Sequence, residues 1–98
     1  MRRAARIDGN HTAVRQALEV CGATVLDLSG VGEGAPDLCV GFRGKTYLIE
    51  IKNSALPPSK RRLTGPQQRF HSWWRGSTIH IVESVNAALA LLKPTNNQ

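Results

Sequence analysis

The chain has 98 residues, of which 41% are hydrophobic and 20% charged, a balance that suits one small folded domain and argues against disorder. Thirteen Lys and Arg against seven Asp and Glu leave a net charge of +6, which favours an anionic partner such as nucleic acid. No apolar run approaches the roughly 18 residues of a membrane span, no secretory h-region follows Met1, and no basic amphipathic helix exposes an apolar face, so a membrane partner is not expected.

The first predicted element is a helix entered at Asn10-His11-Thr12, with Val14, Leu18 and either Val20 or Cys21 as its apolar stripe and Gly22 just past its end. Ala23 to Leu28 reads as a strand, closed by Ser29-Gly30 and followed by the glycine loop Val31-Gly32-Glu33-Gly34. Pro36 biases Ala35 to extended geometry just ahead of Asp37. Two alternating runs follow, Leu38, Val40, Phe42 and then Tyr47, Ile49, Ile51, which read as a hairpin turning at Arg43-Gly44.

Asn53 to Arg62 reads as a loop, because Pro57-Pro58 exclude a helix and Lys60-Arg61-Arg62 is a charge run. Thr64 caps a second helix that tolerates Pro66 in its first turn, carries Leu63, Gln67, Phe70 and Trp74 on one face, and ends at Gly76. Thr78 to Val82 is expected as a short buried strand. Ser84 then caps a last helix with Val85, Ala88, Leu89 and Leu92 inward, stopped by Pro94 before the polar tail Thr95 to Gln98. The order α-β-β-β-α-β-α implies an α/β fold, one mixed sheet flanked by helices in a single domain spanning 1–98. Cys21 and Cys39 form no Cys-x-x-Cys motif and have no clustered histidines, so both are expected as buried small apolar residues in a reducing compartment.

The hairpin carries the chemistry. If Phe42 pairs with Lys45, Asp37 lies opposite Glu50 on one sheet face, and Lys52, two residues on, points to that same face. Paired carboxylates repel unless one is protonated or a cation lies between them, so two acids and a lysine at one strand end suit a metal site with a charge stabiliser. The register is open on sequence grounds. Arg43-Gly44 is not an Asn-Gly or Asp-Gly turn, and a three-residue loop pairing Gly41 with Lys45 would send Asp37 and Glu50 to opposite faces.

Pro36-Asp37 followed by Glu50-Ile51-Lys52 resembles the Pro-Asp…(Asp/Glu)-x-Lys signature of the restriction-endonuclease-like nuclease superfamily, whose core has the same α-β-β-β-α-β order. More closely, the chain is similar to the stand-alone virus-type replication-repair nuclease (VRR-NUC) domains of phages and prophages. The likeness runs through Gly34-Ala35-Pro36-Asp37-Leu38, Glu50-Ile51-Lys52-Asn53 and the glutamine-bearing helix Leu63-Thr64-Gly65-Pro66-Gln67-Gln68-Arg69-Phe70-His71, from about Asp8 to Leu92. The resemblance implies a restriction-endonuclease-like fold with Asp37, Glu50, Lys52 and Gln67 catalytic. Asp37, Glu50 and the Ile51 carbonyl would ligate the metal, and Gln68 is the fallback for Gln67. Relatives often carry a glutamate at the first helix, where this chain has Asp8-Gly9-Asn10-His11. Asp8 is the candidate substitute, Asn10 is either a helix cap or a site group, and Glu19 reads as a solvated helix residue.

Phosphodiester hydrolysis suits such a set. Hard Mg²⁺ or Mn²⁺ on carboxylate and carbonyl oxygens neutralises phosphate charge, and a lysine adds fixed positive charge where the transition state accumulates negative charge. Zinc is not expected without a Cys/His cluster. Lys60, Arg61, Arg62 and Arg69 are then expected as DNA backbone contacts. His11, His71 and His80 are scattered and give no histidine centre, although His71 lies one turn from Gln67. Of Trp73 and Trp74, one is expected in the core and the other at a dimer interface, in preference to stacking on a base. The expectation is therefore a structure-selective endonuclease acting as a homodimer on branched DNA, a Holliday junction or flap, in the cytoplasm of a phage or prophage host. The alternative is a non-catalytic or partner-dependent nucleic-acid-binding subunit of the same fold.

Overall fold

The computed structural model describes residues 9–93. Asp8, the arginines at positions 2, 3 and 6, Pro94 and the tail from Thr95 to Gln98 lie outside the described residues. The elements are α1 (His11–Val20), β1 (Thr24–Asp27), β2 (Leu38–Phe42), β3 (Lys45–Ile51), a 3₁₀ turn (Pro58–Lys60), α2 (Gly65–Trp73), β4 (Ile79–Val82) and α3 (Val85–Leu92). The expected α-β-β-β-α-β-α order holds, with one addition. Pro58 opens a 3₁₀ turn in the segment expected as plain loop, because a proline at the first helical position loses no hydrogen bond.

The four strands form one mixed sheet in the order β1-β2-β3-β4. β1 and β2 pair antiparallel, as do β2 and β3, whereas β3 and β4 are parallel. A parallel pair needs a long crossover, and the connection through α2 supplies it. One face of the sheet presents Leu38, Val40, Ile49 and Ile51, all fully buried, against Val14 and Leu18 of α1 and Ala88 and Leu92 of α3. Full burial of each such Leu or Ile contributes roughly 1.5–3 kcal/mol of transfer free energy. The period-two alternation of the hairpin leaves Asp37, Glu50 and Lys52 to the opposite face.

α1 ends as its sequence implies. Gly22 adopts φ +98°, its N–H reaches Glu19 O and the Ala23 N–H reaches Leu18 O, the double bond of a Schellman motif. That turn lifts Val20 and Cys21 out of the stripe, so Val20 is 87% exposed and Cys21 is exposed rather than buried, while Cys39 is half-buried. β4 is also less buried than its composition implied. It is an edge strand, and among its four residues only Val82 is buried while Ile81 is half open to solvent. The Ser84 cap holds as expected, its hydroxyl accepting from the Ala87 N–H at 3.0 Å. No helix among the described residues is long and apolar enough to cross a membrane.

Candidate active site

The hairpin takes the register that opposes the two acids. Phe42 pairs with Lys45 and Leu38 with Ile49, so the next step of the same ladder sets Asp37 against Glu50. The turn is a two-residue one with Arg43 at φ +50° and Gly44 at φ +80°, the positive pair that matches strand twist. Arg43 is an unusual left-handed residue, and its guanidinium lies 5.1 Å from the Phe42 ring centroid, a cation–π contact that offsets part of the strain.

Asp37 Oδ2 accepts the Ile51 backbone N–H at 2.7 Å, which fixes the start of β2 on the end of β3. A strand residue that exchanges bonds with one neighbour points its N–H and C=O to the same edge. The Ile51 carbonyl therefore projects toward Asp37, beyond the last paired residue of β2. Glu50 is 1% exposed and Lys52 7% exposed, with Lys52 Nζ 3.8 Å from Glu50 Oε2. Removing such charges from water costs several kcal/mol each, so the pair needs further donors and acceptors around it.

Gln67 supplies them. Its Nε2 donates to Glu50 Oε2 at 2.8 Å, while its Oε1 accepts Lys52 Nζ at 2.8 Å and the Thr64 backbone N–H at 2.9 Å. Thr64 Oγ1 in turn accepts the Gln67 N–H at 3.3 Å, completing a capping box at the start of α2. The amide can face only one way. Reversed, its nitrogen would meet two donors and its oxygen a carboxylate. A glutamate at this position would cap the helix but could not donate to Glu50 while ionised, so the cap and the site together require an amide.

The glycine loop sets α2 against the strands. Gly34 sits at φ +81°, and a Cβ there would clash with the Pro66 carbonyl in the first turn of α2. Asp37, Glu50, Lys52 and Gln67 line one cleft of about 290 Å³, and Thr64, Lys60 and Arg62 complete its wall. Arg61 does not line it. It forms a 2.9 Å ion pair with Glu83 beyond the end of β4, pinning the basic segment between the two residues that face the cleft.

The remaining predicted residues fall elsewhere. Gln68 donates to Leu63 O on the exposed side of α2, leaving Gln67 as the site glutamine. Asn10 occupies the N-cap position of α1 without capping through its side chain. Its Nδ2 instead donates to Lys52 O and Glu83 O, both at 3.1 Å, clasping the ends of the parallel strands β3 and β4. Glu19 is exposed, as expected. Arg69 lines a separate groove with Phe70 and Trp73. His71, noted in the sequence as one turn from Gln67 but not expected as a histidine centre, has its Nε2 buried with no hydrogen-bond partner among the described residues. Burial, and then the charge of Lys52, hold its pKa below the ordinary value of 6.5. The i, i+4 spacing from Gln67 was the available signal.

No group of three His, Cys, Asp or Glu side chains comes together among the described residues. The donor set in the cleft, two carboxylates beside a strand-end carbonyl, is nevertheless of the all-oxygen kind that hard divalent cations take. Mg²⁺ is commonly held by one or two carboxylates together with water and substrate phosphate. The residues present therefore fit Mg²⁺ or Mn²⁺. No protein-family model matches the chain, and neither a curated protein nor a solved structure matches it.

Proposed function

We propose that the chain is a metal-dependent, structure-selective DNA endonuclease that hydrolyses phosphodiester bonds in branched DNA, a Holliday junction or a flap. The observation that carries this reading is the buried Glu50–Lys52 pair, bridged by Gln67 and facing Asp37 across one cleft. A structural role gains little from such a pair, because well-packed apolar residues serve stability as well or better. A module that only binds DNA has no use for paired carboxylates facing phosphate, since they repel the ligand.

Asp37, Glu50 and the Ile51 carbonyl would hold Mg²⁺ or Mn²⁺, which when bound neutralises phosphate charge and acidifies water. Gln67 fixes both Glu50 and Lys52, so neither side chain has to reorganise when substrate arrives. Lys52 brings its ammonium to the scissile phosphate, where negative charge accumulates as water attacks. In that step the water oxygen bonds to phosphorus and one P–O ester bond breaks, leaving a phosphate end and a hydroxyl end. Lys60 and Arg62, on the wall of the cleft, hold the flanking backbone without reading sequence.

One site per chain supports a homodimer, since resolving a junction requires two cuts. In keeping with the resemblance to virus-type replication-repair nucleases, the proposed setting is the cytoplasm of a phage or prophage host. The reading is tested by cleavage of branched and linear DNA in Mg²⁺ or Mn²⁺ with Asp37 and Lys52 variants alongside the wild type.

A further inference from the structure

On the side of α2 away from Gln67 lies a surface that the cleavage chemistry does not use. Trp73 is 67% exposed, the most open aromatic ring among the described residues. It is not loose: the Phe70 ring packs edge-on against it at 5.5 Å, and Phe70 is itself stacked on Trp74 at 5.7 Å with an interplanar angle of 16°. Trp74 is anchored by its indole N–H to Ser77 O at 2.8 Å. The exposed ring therefore stands on a fixed aromatic base.

Trp73 divides two recesses. On one side is an apolar groove of about 340 Å³ where Val31, Ala35 and Phe70 meet the ring. On the other is an open recess flanked by Arg69 and Arg75. Glu33 is the one acid on either wall, and Arg69 borders both recesses. The Arg75 guanidinium is held at the end of the helix by Ser72 O at 3.1 Å and Trp73 O at 3.2 Å.

We propose that Trp73 is a stacking platform for an unpaired base of the DNA substrate, with Arg69 and Arg75 on the adjoining phosphates. A flat exposed ring beside two guanidinium groups complements a nucleotide, whose base has an apolar face and whose phosphate is anionic. A second copy of this chain would bring its own arginines against these, an unfavourable like-charge contact. A base freed at a branch point would stack on the ring while its neighbouring phosphates meet the two guanidinium groups. The inference rests on the nuclease reading and gives it a basis for preferring branched over fully paired DNA.

The test is binding in EDTA, so that no cutting occurs, of a labelled fork with single-stranded arms and of a matched linear duplex. Trp73→Ala should weaken fork binding by about fivefold or more while duplex binding stays within about twofold, and Trp73→Phe should keep most of the fork affinity. Sedimentation at the same concentration should give one mass for wild type and both variants. Equal loss on fork and duplex, no loss on either, or a Trp73→Ala chain that falls from dimer to monomer would overturn the platform. The two readings fail separately. A wild type that prefers forks through Trp73 but never cuts would sink the nuclease alone. A wild type that cuts branched DNA and is indifferent to Trp73→Ala would sink the platform alone.

Discussion

Gln67 Nε2 lies 2.8 Å from Glu50 Oε2, so the residue that caps α2 also holds a carboxylate at the end of β3. Helix start and candidate site are thereby one structure. Gln67→Ala removes a bridge of three bonds, and each typical hydrogen bond contributes roughly 0.5–1.5 kcal/mol. Stability should fall by about 1.5–4.5 kcal/mol in urea titration. Gln67→Glu keeps the acceptors for Thr64 and Lys52 but sets a second carboxylate against Glu50. We expect it to retain more stability than the alanine variant near pH 5 and to lose cleavage on the order of 10²-fold, the scale of a misplaced reacting group. Equal activity for Gln67→Glu and wild type would remove the bridge from the mechanism.

Gly34 governs where that helix sits. A methyl group at this position has no room beside the Pro66 carbonyl, and the backbone is in the left-handed region that side chains disfavour. Gly34→Ala should cost at least about 1–2 kcal/mol, with Gly30→Ala, whose site is open, as the control. Cleavage by the folded fraction of Gly34→Ala should also fall, since α2 carries Gln67 into the site. A variant as stable and active as wild type would show that the loop does not set the helix.

Within the basic segment the three cations divide their work. Lys60 and Arg62 line the cleft, whereas Arg61 is bound to Glu83. Each phosphate contact contributes about 0.9 to the slope of log affinity against log salt. The double variant Lys60→Ala/Arg62→Ala should therefore lower that slope by about 2. Arg61→Ala should change it by less than about 0.5, because Arg61 is already neutralised. Its effect belongs to stability, where a partly exposed ion pair contributes up to about 1 kcal/mol. A larger slope change for Arg61→Ala than for the double variant would reverse the assignment.

His71 gives the site a pH signature. Its folded pKa is depressed, by burial first and the charge of Lys52 second, so the unfolded chain binds more protons there than the folded one. Its contribution to stability is complete above the unfolded value near 6.5 and is lost as pH falls through the folded value. His71→Gln should narrow the difference in unfolding free energy between pH 7.5 and pH 5. An unchanged pH profile would mean that His71 is no more desolvated in the folded chain than in the unfolded one.

Much of this was legible because strands repeat every two residues. Leu38, Val40, Ile49 and Ile51 define an inward face, which, once Phe42 pairs with Lys45, leaves Asp37, Glu50 and Lys52 together on the opposite face. The turn was the open point, since Arg43 is a poor left-handed residue and only the folded chain shows the Phe42 ring beneath its guanidinium. Gln67 entered through the family resemblance. Its bridging role was out of reach, because it depends on how close α2 comes to β3, which is set by Gly34. The Asn10 clasp and the Arg61–Glu83 pair were also hidden. Their partners lie far along the chain, on strand ends whose adjacency is a product of the parallel crossover. Cys21 and Val20 misled for a local reason, the Schellman turn that ends the apolar stripe at Leu18.

The central claim is tested most directly by incubating labelled four-way junction, flap and linear duplex with wild type, Asp37→Asn and Lys52→Ala in Mg²⁺ or Mn²⁺, with the fold of each checked by thermal melting. Asp37→Asn keeps an oxygen for the Ile51 N–H, so a loss of activity there is not a loss of the hairpin. We predict metal-dependent cutting that favours branched DNA and falls by on the order of 10²–10³-fold in each variant while both remain folded. Tight, salt-sensitive binding with no cutting in either metal, or cutting that survives both substitutions, would contradict the account.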